Sequence, residues 1–257
     1  MKKIFTLVLV TMLLSALNIQ AQTAKEIITK SNNSIKTDAM EMLSTLNIYN
    51  QKGDVRVRQL ATATKKFGEA SKTIIRFTAP ADVAGTTMLV HDYETREDDM
   101  WIYLPALRKS RRVVSSEKGK TFMGSEFTNS DMSMPNIDDF DYQLLDEVTI
   151  DGKKCFVVES KSINQQVAKD YEISRRVSYI DKENYFALKV EHYDLQGKLK
   201  REQIIGDYRK LPGGSWFAYY MEMKNTQNGR RSVMVVDNFQ NTTTLNENQF
   251  APAMLER

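Results

Sequence analysis

Hydrophobic and polar positions alternate with a period of two from Met40 onward. One face of this stretch carries Met40, Met42, Ser44, Leu46 and Ile48, and the other carries Glu41, Thr45 and Asn47. Successive side chains of a β-strand point to opposite faces of a sheet. The pattern therefore predicts a strand that is buried on one face only.

Turn signals divide the rest of the chain into further strands. They are Lys52-Gly53-Asp54, Asp151-Gly152, Lys182-Glu183-Asn184, Gln196-Gly197, Pro212-Gly213-Gly214 and Asn228-Gly229. Between them lie runs rich in β-branched and aromatic residues, such as Phe156-Val157-Val158, Ala187 to Tyr193, Trp216 to Met223 and Val233 to Val236. Short strands that are separated by glycine-containing turns predict an antiparallel meander.

A single helix is predicted ahead of these strands. Thr23-Ala24-Lys25-Glu26 has the spacing of a capping box, and Ile27 and Ile28 follow on the face that would be buried. Asn32-Asn33 is expected at its far end.

The segment from Gly124 to Asp146 breaks the strand pattern. It is acidic, contains Pro135, and suits short helices or a long loop better than a strand. A long excursion inside a regular β domain is typical of a lid or binding loop, and an ordinary surface insertion is the alternative. Asp138, Asp139 and Asp141 lack the spacing and the glycine of a calcium loop, so we interpret them as helix caps or a solvated face.

An antiparallel sheet of this length cannot remain flat, so it must curl into a barrel or split into a sandwich. A sheet that curls only partway leaves a trough. Removing Met1 and Met12 from the 13 methionines leaves 11 for the mature chain. Methionine adapts to ligands of variable shape, but it also fills gaps in a core, and composition alone favours the core.

The N-terminus predicts export. Lys2 and Lys3 precede the apolar run Ile4 to Leu17, and we expect signal-peptide cleavage after Ala21. The only cysteine, Cys155, is far from that point, so we expect neither lipidation nor an internal disulfide, and we interpret Cys155 as a buried apolar residue. Residues 22–257 contain no linker and no repeat and are predicted to form one domain.

The charge balance argues against a nucleic-acid-binding protein. Without Lys2 and Lys3, 34 of the 36 Lys and Arg residues remain against 33 Asp and Glu residues. The mature chain is thus nearly neutral, and the basic pI of the precursor says little about nucleic acid.

Three motifs in order resemble a known family. They are Phe77 to Thr86 (FTAPADVAGT), Asp98 to Lys109 (DDMWIYLPALRK) and Phe122 to Phe127 (FMGSEF), and the ending Phe250 to Arg257 also fits. The sequence is similar to the outer membrane lipoprotein-sorting family, the LolA-like proteins, in the branch associated with RND-type transporters. The resemblance implies a periplasmic protein with an incompletely closed antiparallel β-barrel. It also implies a helical lid or plug and a cavity for acyl chains.

The stretch WIYLPALRKSRRV, residues 101–113, places four cations directly after an apolar run. If the trough holds lipid, Trp101 to Leu107 is expected along it, with Arg108, Lys109, Arg111 and Arg112 near its rim for a head group or a partner. The alternative is a solvated hairpin end whose cations pair with Glu94, Glu97, Asp98 or Asp99.

An enzyme is the least supported hypothesis. Ser125 lies in Met-Gly-Ser-Glu-Phe, which lacks the second glycine of a nucleophile elbow. The only histidines, His91 and His192, fall inside strand-like runs. The chain contains a serine, a histidine and aspartates from which a catalytic triad could be composed, but no motif supports one. We therefore expect no enzyme, and a lipid esterase is the third hypothesis.

The favoured hypothesis is a periplasmic carrier of lipid or lipoprotein acyl chains that exchanges its cargo with an RND-type envelope transporter or, transiently, the outer membrane. A transporter adaptor without cargo is the alternative, and we expect no metal and no cofactor. The expected cavity residues are Met40, Met42, Leu46, Ile75, Phe77, Met88, Trp101, Tyr103, Phe122, Met123, Tyr219, Met221 and Met223. The expected lid residues are Gly124, Phe127, Met132 and Met134.

Overall fold

The computed structural model describes residues 22–94, 96–241 and 244–256, so the expected signal peptide, residues 1–21, lies outside the described residues. Two α-helices are present in this part of the chain, α1 (Ala24–Ser34) and α2 (Gln165–Tyr171). The first six strands are β1 (Ala39–Tyr49), β2 (Val55–Phe67), β3 (Ala70–Ala79), β4 (Thr87–Tyr93), β5 (Asp99–Leu104) and β6 (Lys109–Val113). The other seven are β7 (Phe140–Ile150), β8 (Lys153–Ser162), β9 (Arg175–Asp181), β10 (Ala187–Tyr193), β11 (Leu199–Lys210), β12 (Trp216–Asn225) and β13 (Arg231–Gln240).

All thirteen strands form one antiparallel sheet. The order is β6-β5-β4-β3-β2-β1-β13-β12-β11-β10-β9-β8-β7, so pairing of β1 with β13 joins the two halves of the chain. The edges, β6 and β7, do not pair with each other, and the sheet stays open. The expected fold class, a mainly β, incompletely closed antiparallel barrel, is confirmed.

The predicted turns and strands are also confirmed. Each of the six turn signals lies between two consecutive strands, and Ala187–Tyr193 forms β10 over its full length. Met40, Ser44, Leu46 and Ile48 are buried on the inner face of β1, whereas Glu41 is exposed.

Helix α1 begins where the sequence indicates. The Thr23 hydroxyl accepts a hydrogen bond from the Glu26 amide at 3.2 Å, and the Glu26 carboxylate accepts one from the Thr23 amide at 2.9 Å. This capping box satisfies two backbone donors of the first turn. Ile27 is fully buried and packs with Val158 and Ile180, so the helix rests against the β7–β9 side of the sheet.

The segment between β6 and β7 corrects one prediction. It contains short 3-10 helices at Ser115–Glu117, Phe122–Gly124, Asn129–Met132 and Ile137–Asp139. Strand β7 begins at Phe140, so the expectation of a loop or helix up to Asp146 is wrong for its last seven residues. Exposed side chains at Asp141, Gln143 and Leu144 hide the strand in the sequence, because an edge strand has little need for an apolar face.

One glycine brings this segment close to the end of α2. The amide of Gly119 donates to the carbonyl of Asp170 at 2.7 Å, at the end of α2. A Cβ atom at Gly119 would lie 2.6 Å from the backbone carbon of Tyr171. Only glycine therefore allows this close approach of two backbones.

A packed core occupies one end of the concave face. It contains Leu46, Phe77, Met88, Phe122 and Met223, all nearly or fully inaccessible to solvent. The rings of Phe77 and Phe122 lie 5.6 Å apart. The interior is therefore solid at this end.

The opposite, convex face of β2–β5 is covered by the C-terminal segment. Leu245, Phe250 and Leu255 pack with Leu89, and Trp101 and Tyr103 flank this cluster. The Glu256 carboxylate accepts hydrogen bonds from the Ser110 amide at 2.8 Å and the Ser110 hydroxyl at 2.6 Å on edge strand β6. The chain end thus shields both a sheet face and a sheet edge.

Candidate functional site

A cavity of about 640 Å³ opens at the end of the concave face that the packed core leaves free. Its floor comes from the inner faces of β1, β2 and β3, where cross-strand neighbours such as Met42, Thr62 and Ile75 lie in one row. Strands β12 and β13 add Met221 and Met234. Six methionines line the cavity, namely Met40, Met42, Met132, Met134, Met221 and Met234.

The floor is not uniformly apolar. The hydroxyls of Thr64 and Thr73 hydrogen-bond each other at 2.9 Å. Ser44 also lines the cavity, and its buried hydroxyl has no hydrogen-bond partner among the described residues. The floor therefore combines methionine side chains with a few hydroxyl groups.

Residues 132–137, which we call the cover segment, form the roof of the cavity. The Met134 amide donates to the Asp92 carboxylate at 3.0 Å, and the Ile137 carbonyl accepts from the Tyr142 hydroxyl at 2.9 Å. Just beyond the segment, Asp138 forms an exposed ion pair with Lys25 of α1 at 2.8 Å. The segment is thus tied to β4, to β7 and to the helix.

Asp92 is the half-buried carboxyl beneath this roof. Burial raises the pKa of Asp92 to about 6, and the neighbouring Asp98 carboxylate adds to the effect. Burial also raises the pKa of Asp98. The charge on this side of the cavity therefore changes in mildly acidic solution.

The stretch before the cover segment is anchored by buried charges. An oxygen of Asp131 accepts from the Thr128 amide at 2.7 Å and from the Arg201 guanidinium at 3.2 Å. Burial alone would raise the pKa of Asp131, but Arg201 and the Thr128 hydrogen bonds outweigh it, and the pKa lies below its usual value. Asp131 therefore stays ionised and paired.

Glu126 provides a second anchor. Its carboxylate accepts from the Asn225 amide group at 2.9 Å and pairs with the Arg230 guanidinium at 3.0 Å. Its backbone amide is bonded to the Ser232 hydroxyl at 2.9 Å. Residues 126–131 consequently form a plug that is held to strands β11, β12 and β13.

His192 lies near Asp131 in the same interior. Burial, together with the Arg201 charge, lowers the pKa of His192 to about 3. The imidazole is therefore neutral at physiological pH.

The structure brings seven of the predicted site residues together at the cavity. Four come from the predicted cavity set, Met40, Met42, Ile75 and Met221, and three from the predicted lid set, Phe127, Met132 and Met134. Their part in ligand binding remains a prediction.

Other predicted cavity residues lie elsewhere. Leu46, Phe77, Met88, Phe122 and Met223 belong to the packed core, and Met123 packs against it. Met223 shares a strand face with Met221 but is buried in the packed core. The expectation that both methionines face the cavity is therefore wrong for Met223. Tyr219 packs against Phe217 and Phe239.

The prediction that Trp101 and Tyr103 line the cavity is wrong, because both lie on the convex face beneath the C-terminal segment. Gly124 is exposed, and its carbonyl accepts from Arg230 at 2.9 Å, so it is not part of the roof.

The four cations of the β5–β6 hairpin do not line the cavity. Arg111 pairs with Glu117 at 2.7 Å, and Arg112 pairs with Asp99. Lys109 lies close enough to Glu256 to help lower the pKa of that carboxyl, and Arg108 occupies the turn with a positive φ of 49°. The ion pair with Asp99 agrees with the alternative of a solvated hairpin end rather than a cavity rim.

Several lining residues were missed by sequence reasoning. Leu60, Phe217, Gln203 and Met234 reach the cavity from strands that are distant along the chain. The alternation in Leu60, Thr62 and Thr64 was a usable signal for Leu60. No local signal marks Gln203, because its position depends on the pairing of β11 with β12.

Ser125 and His91, two of the residues considered for catalysis, are engaged elsewhere. The Ser125 hydroxyl is buried and donates to the Phe122 carbonyl at 2.7 Å. His91 Nε2 lies 2.8 Å from the Phe250 carbonyl on the convex face. Cys155 is buried in β8.

Neither a metal-binding cluster nor a membrane-spanning helix is present among the described residues. No group of three or more His, Cys, Asp or Glu side chains there is arranged to hold a metal ion. No helix in the same part of the chain has the length and apolar character to cross a membrane.

Comparison with known proteins agrees with this architecture. A family model described as "Uncharacterized protein" matches residues 69–257, and the chain belongs to that family. No curated protein matches the sequence significantly.

Solved structures define the fold more specifically. A domain from Vibrio parahaemolyticus that is named for outer membrane lipoprotein sorting has a TM-score of 0.84 and 28% identity, over 91% of this chain and 98% of that one. A DUF1329 family protein from Desulfovibrio piger has a TM-score of 0.82 and 27% identity, over 90% and 97% of the two chains.

A LolA superfamily protein from Nitrosomonas europaea shares the fold, with a TM-score of 0.71 and 19% identity over 91% of this chain and 100% of that one. The resemblance to the lipoprotein-sorting, LolA-like proteins is thus confirmed.

Proposed function

We propose that this protein is a periplasmic, non-enzymatic carrier that holds an acyl chain of a lipid or lipoprotein in the methionine-lined cavity. The cavity of about 640 Å³ inside an open β-barrel is the observation that carries the proposal. Its volume lies within the range of about 300–1,000 Å³ that small-molecule sites occupy. The names of the Vibrio and Nitrosomonas neighbours support the same class.

The methionine lining suits such cargo. A thioether side chain is flexible and polarizable, so six of them can conform to acyl chains of different length and unsaturation. Phe127 and Ile75 add rigid apolar surface between them.

Energetics require an exchange partner. Each buried methylene contributes about 0.8 kcal/mol, so a long chain gains on the order of 10 kcal/mol in the cavity. A bilayer offers nearly the same gain, and the direction of transfer must therefore depend on contacts outside the cavity. We assign this role to an RND-type envelope transporter or to the outer membrane surface.

The test is recovery of bound lipid. The full chain is expressed in a Gram-negative host, purified gently and extracted with organic solvent, and acyl species are counted by mass spectrometry. We expect about one acyl ligand per protein for the wild type, because dissociation of so apolar a chain into water is costly. Absence of a stoichiometric acyl ligand would contradict the carrier and favour the cargo-free adaptor.

A matched pair of variants localises the site. Met221→Glu places a carboxylate in the cavity and should reduce recovered lipid roughly tenfold or more. Leu43→Glu adds the same charge to β1 at a side chain that is 51% exposed on the other face, and it should retain lipid. Far-UV circular dichroism confirms that both variants keep their strands. Equal lipid in both variants would place the cargo elsewhere.

A further inference from the structure

The charges around the cavity mouth have the wrong sign for an anionic cargo. The exposed charged side chains there are Lys36, Asp38, Lys66, Glu69 and Glu94. Both lysines form ion pairs with the same carboxylate: Lys36 Nζ lies 2.9 Å and Lys66 Nζ lies 3.6 Å from Glu94 Oε1.

The remaining acids are not neutralised. Asp38 and Glu69 form no ion pair within 4 Å among residues 22–94, 96–241 and 244–256, and Asp92 lies deeper on the same side. Four carboxyl groups thus face two lysines around the opening. The field of such a mouth repels an anion and leaves a neutral head group unaffected.

The volume limits the number of chains. A methylene occupies about as much space as a water molecule, roughly 30 Å³, so a cavity of about 640 Å³ holds about twenty methylenes. One acyl chain of ordinary length fills that space, whereas two such chains exceed it.

We propose that the cargo is a single acyl chain whose head group carries no negative charge, as in a monoacylglycerol. This inference rests on the proposed carrier function and specifies the ligand of the same cavity. The cavity walls hold the chain, the cover segment lies over it, and the acidic mouth discriminates against fatty acids and anionic lysophospholipids.

The experiment compares three probes of equal chain length. Monoolein, oleate and dioleoylglycerol displace the neutral dye Nile red from the full protein at pH 8 and low salt. We expect monoolein to bind about fivefold to tenfold more tightly than oleate, with the difference shrinking at high salt as the mouth charges are screened. Dioleoylglycerol should bind more weakly than monoolein, because its two chains exceed the cavity volume.

Two double variants separate the mouth charge from the other differences between probes. Asp38→Asn combined with Glu69→Gln should tighten oleate binding severalfold and leave monoolein unchanged. Asp151→Asn combined with Glu183→Gln removes the same charge at exposed turns among β7–β10, away from the cavity, and should change neither.

Each outcome decides one question. Oleate binding as tight as monoolein, or an oleate affinity that the mouth variant does not change, overturns the neutral head group while the carrier function stands. Equal affinity for dioleoylglycerol overturns the single chain. Failure of every probe, together with absence of extractable lipid, overturns the carrier function and this inference with it.

Discussion

At the scale of single residues, the buried charges are the most consequential groups in the interior. Arg201 is 5% exposed in its side chain, and its guanidinium bonds Asp131 and the Glu126 carbonyl. A buried charge that loses its partner is costly, whereas an exposed pair contributes little. The plug residues should therefore determine stability more than the surface ion pairs do.

We expect Asp131→Asn to lower the free energy of unfolding by about 3 kcal/mol, because it leaves the Arg201 charge buried without its counter-ion. The matched change Asp138→Asn removes a pair whose side chains are 54% and 75% exposed, and it should cost under about 0.5 kcal/mol. Urea unfolding of the two variants measures both. Similar costs for the two changes would show that the buried pair does not hold the plug.

Several residue-level predictions missed the cavity for one physical reason. The three family motifs pack on one another: Phe122 lies against Phe77, and a Cβ atom at Gly85 would stand 3.1 Å from Pro105. The motifs therefore mark the solid end of the molecule. Apart from Phe127, which lines the cavity, the aromatic residues of the motifs that we expected in the cavity lie elsewhere.

At the scale of elements, the cover segment depends on few contacts. It is tied to β4 through Asp92 and to β7 through Tyr142, and just beyond it the exposed pair of Lys25 and Asp138 leads to α1. Segments with few buried contacts open most readily in native proteins. This makes the cover segment, rather than the anchored plug, the element that we expect to move.

Asp92 should make stability depend on pH. Its folded pKa of about 6 exceeds the ordinary value of 3.8, so the folded state binds its proton more tightly than the unfolded state does. The resulting stabilisation is complete below about pH 4 and is lost as the pH rises through about 6. Asp92→Asn should therefore exceed the wild type in unfolding free energy by on the order of 2 kcal/mol at pH 8, with a smaller difference at pH 5.

Urea unfolding of both proteins at the two pH values measures this difference. Asp151→Asn, at an exposed turn, is the control that should show no pH-dependent difference. Parallel pH profiles for the wild type and Asp92→Asn would mean that Asp92 is not desolvated beneath the cover segment.

At the scale of the whole molecule, one continuous sheet joins the two halves of the chain. The β1–β13 pairing extends from Glu41–Gln240 to Tyr49–Arg231, and it makes the first and last strands neighbours. Contacts this distant along the chain link the halves thermodynamically. We therefore propose that residues 22–257 form a single domain.

The two tryptophans provide a test, because Trp101 in β5 and Trp216 in β12 have five strands between them. We expect Trp101→Phe and Trp216→Phe each to unfold in one transition, with the remaining tryptophan's fluorescence and the far-UV circular dichroism sharing one urea midpoint. Midpoints that separate within one variant would divide the chain into two domains.

The sequence by itself determined helix α1, strand β1 and the six turns, because their signals are local. The structure confirms three such features: the Thr23–Glu26 capping box, the period of two from Met40 to Ile48, and the six turns. Each depends only on residues that are neighbours along the chain. Only the tertiary structure decided what lies on each face. Met221 and Met223 share a face and a residue type, yet one lines a cavity and the other is sealed in the core. Alternation specifies the face of a strand, whereas the segment that packs on that face comes from elsewhere in the chain.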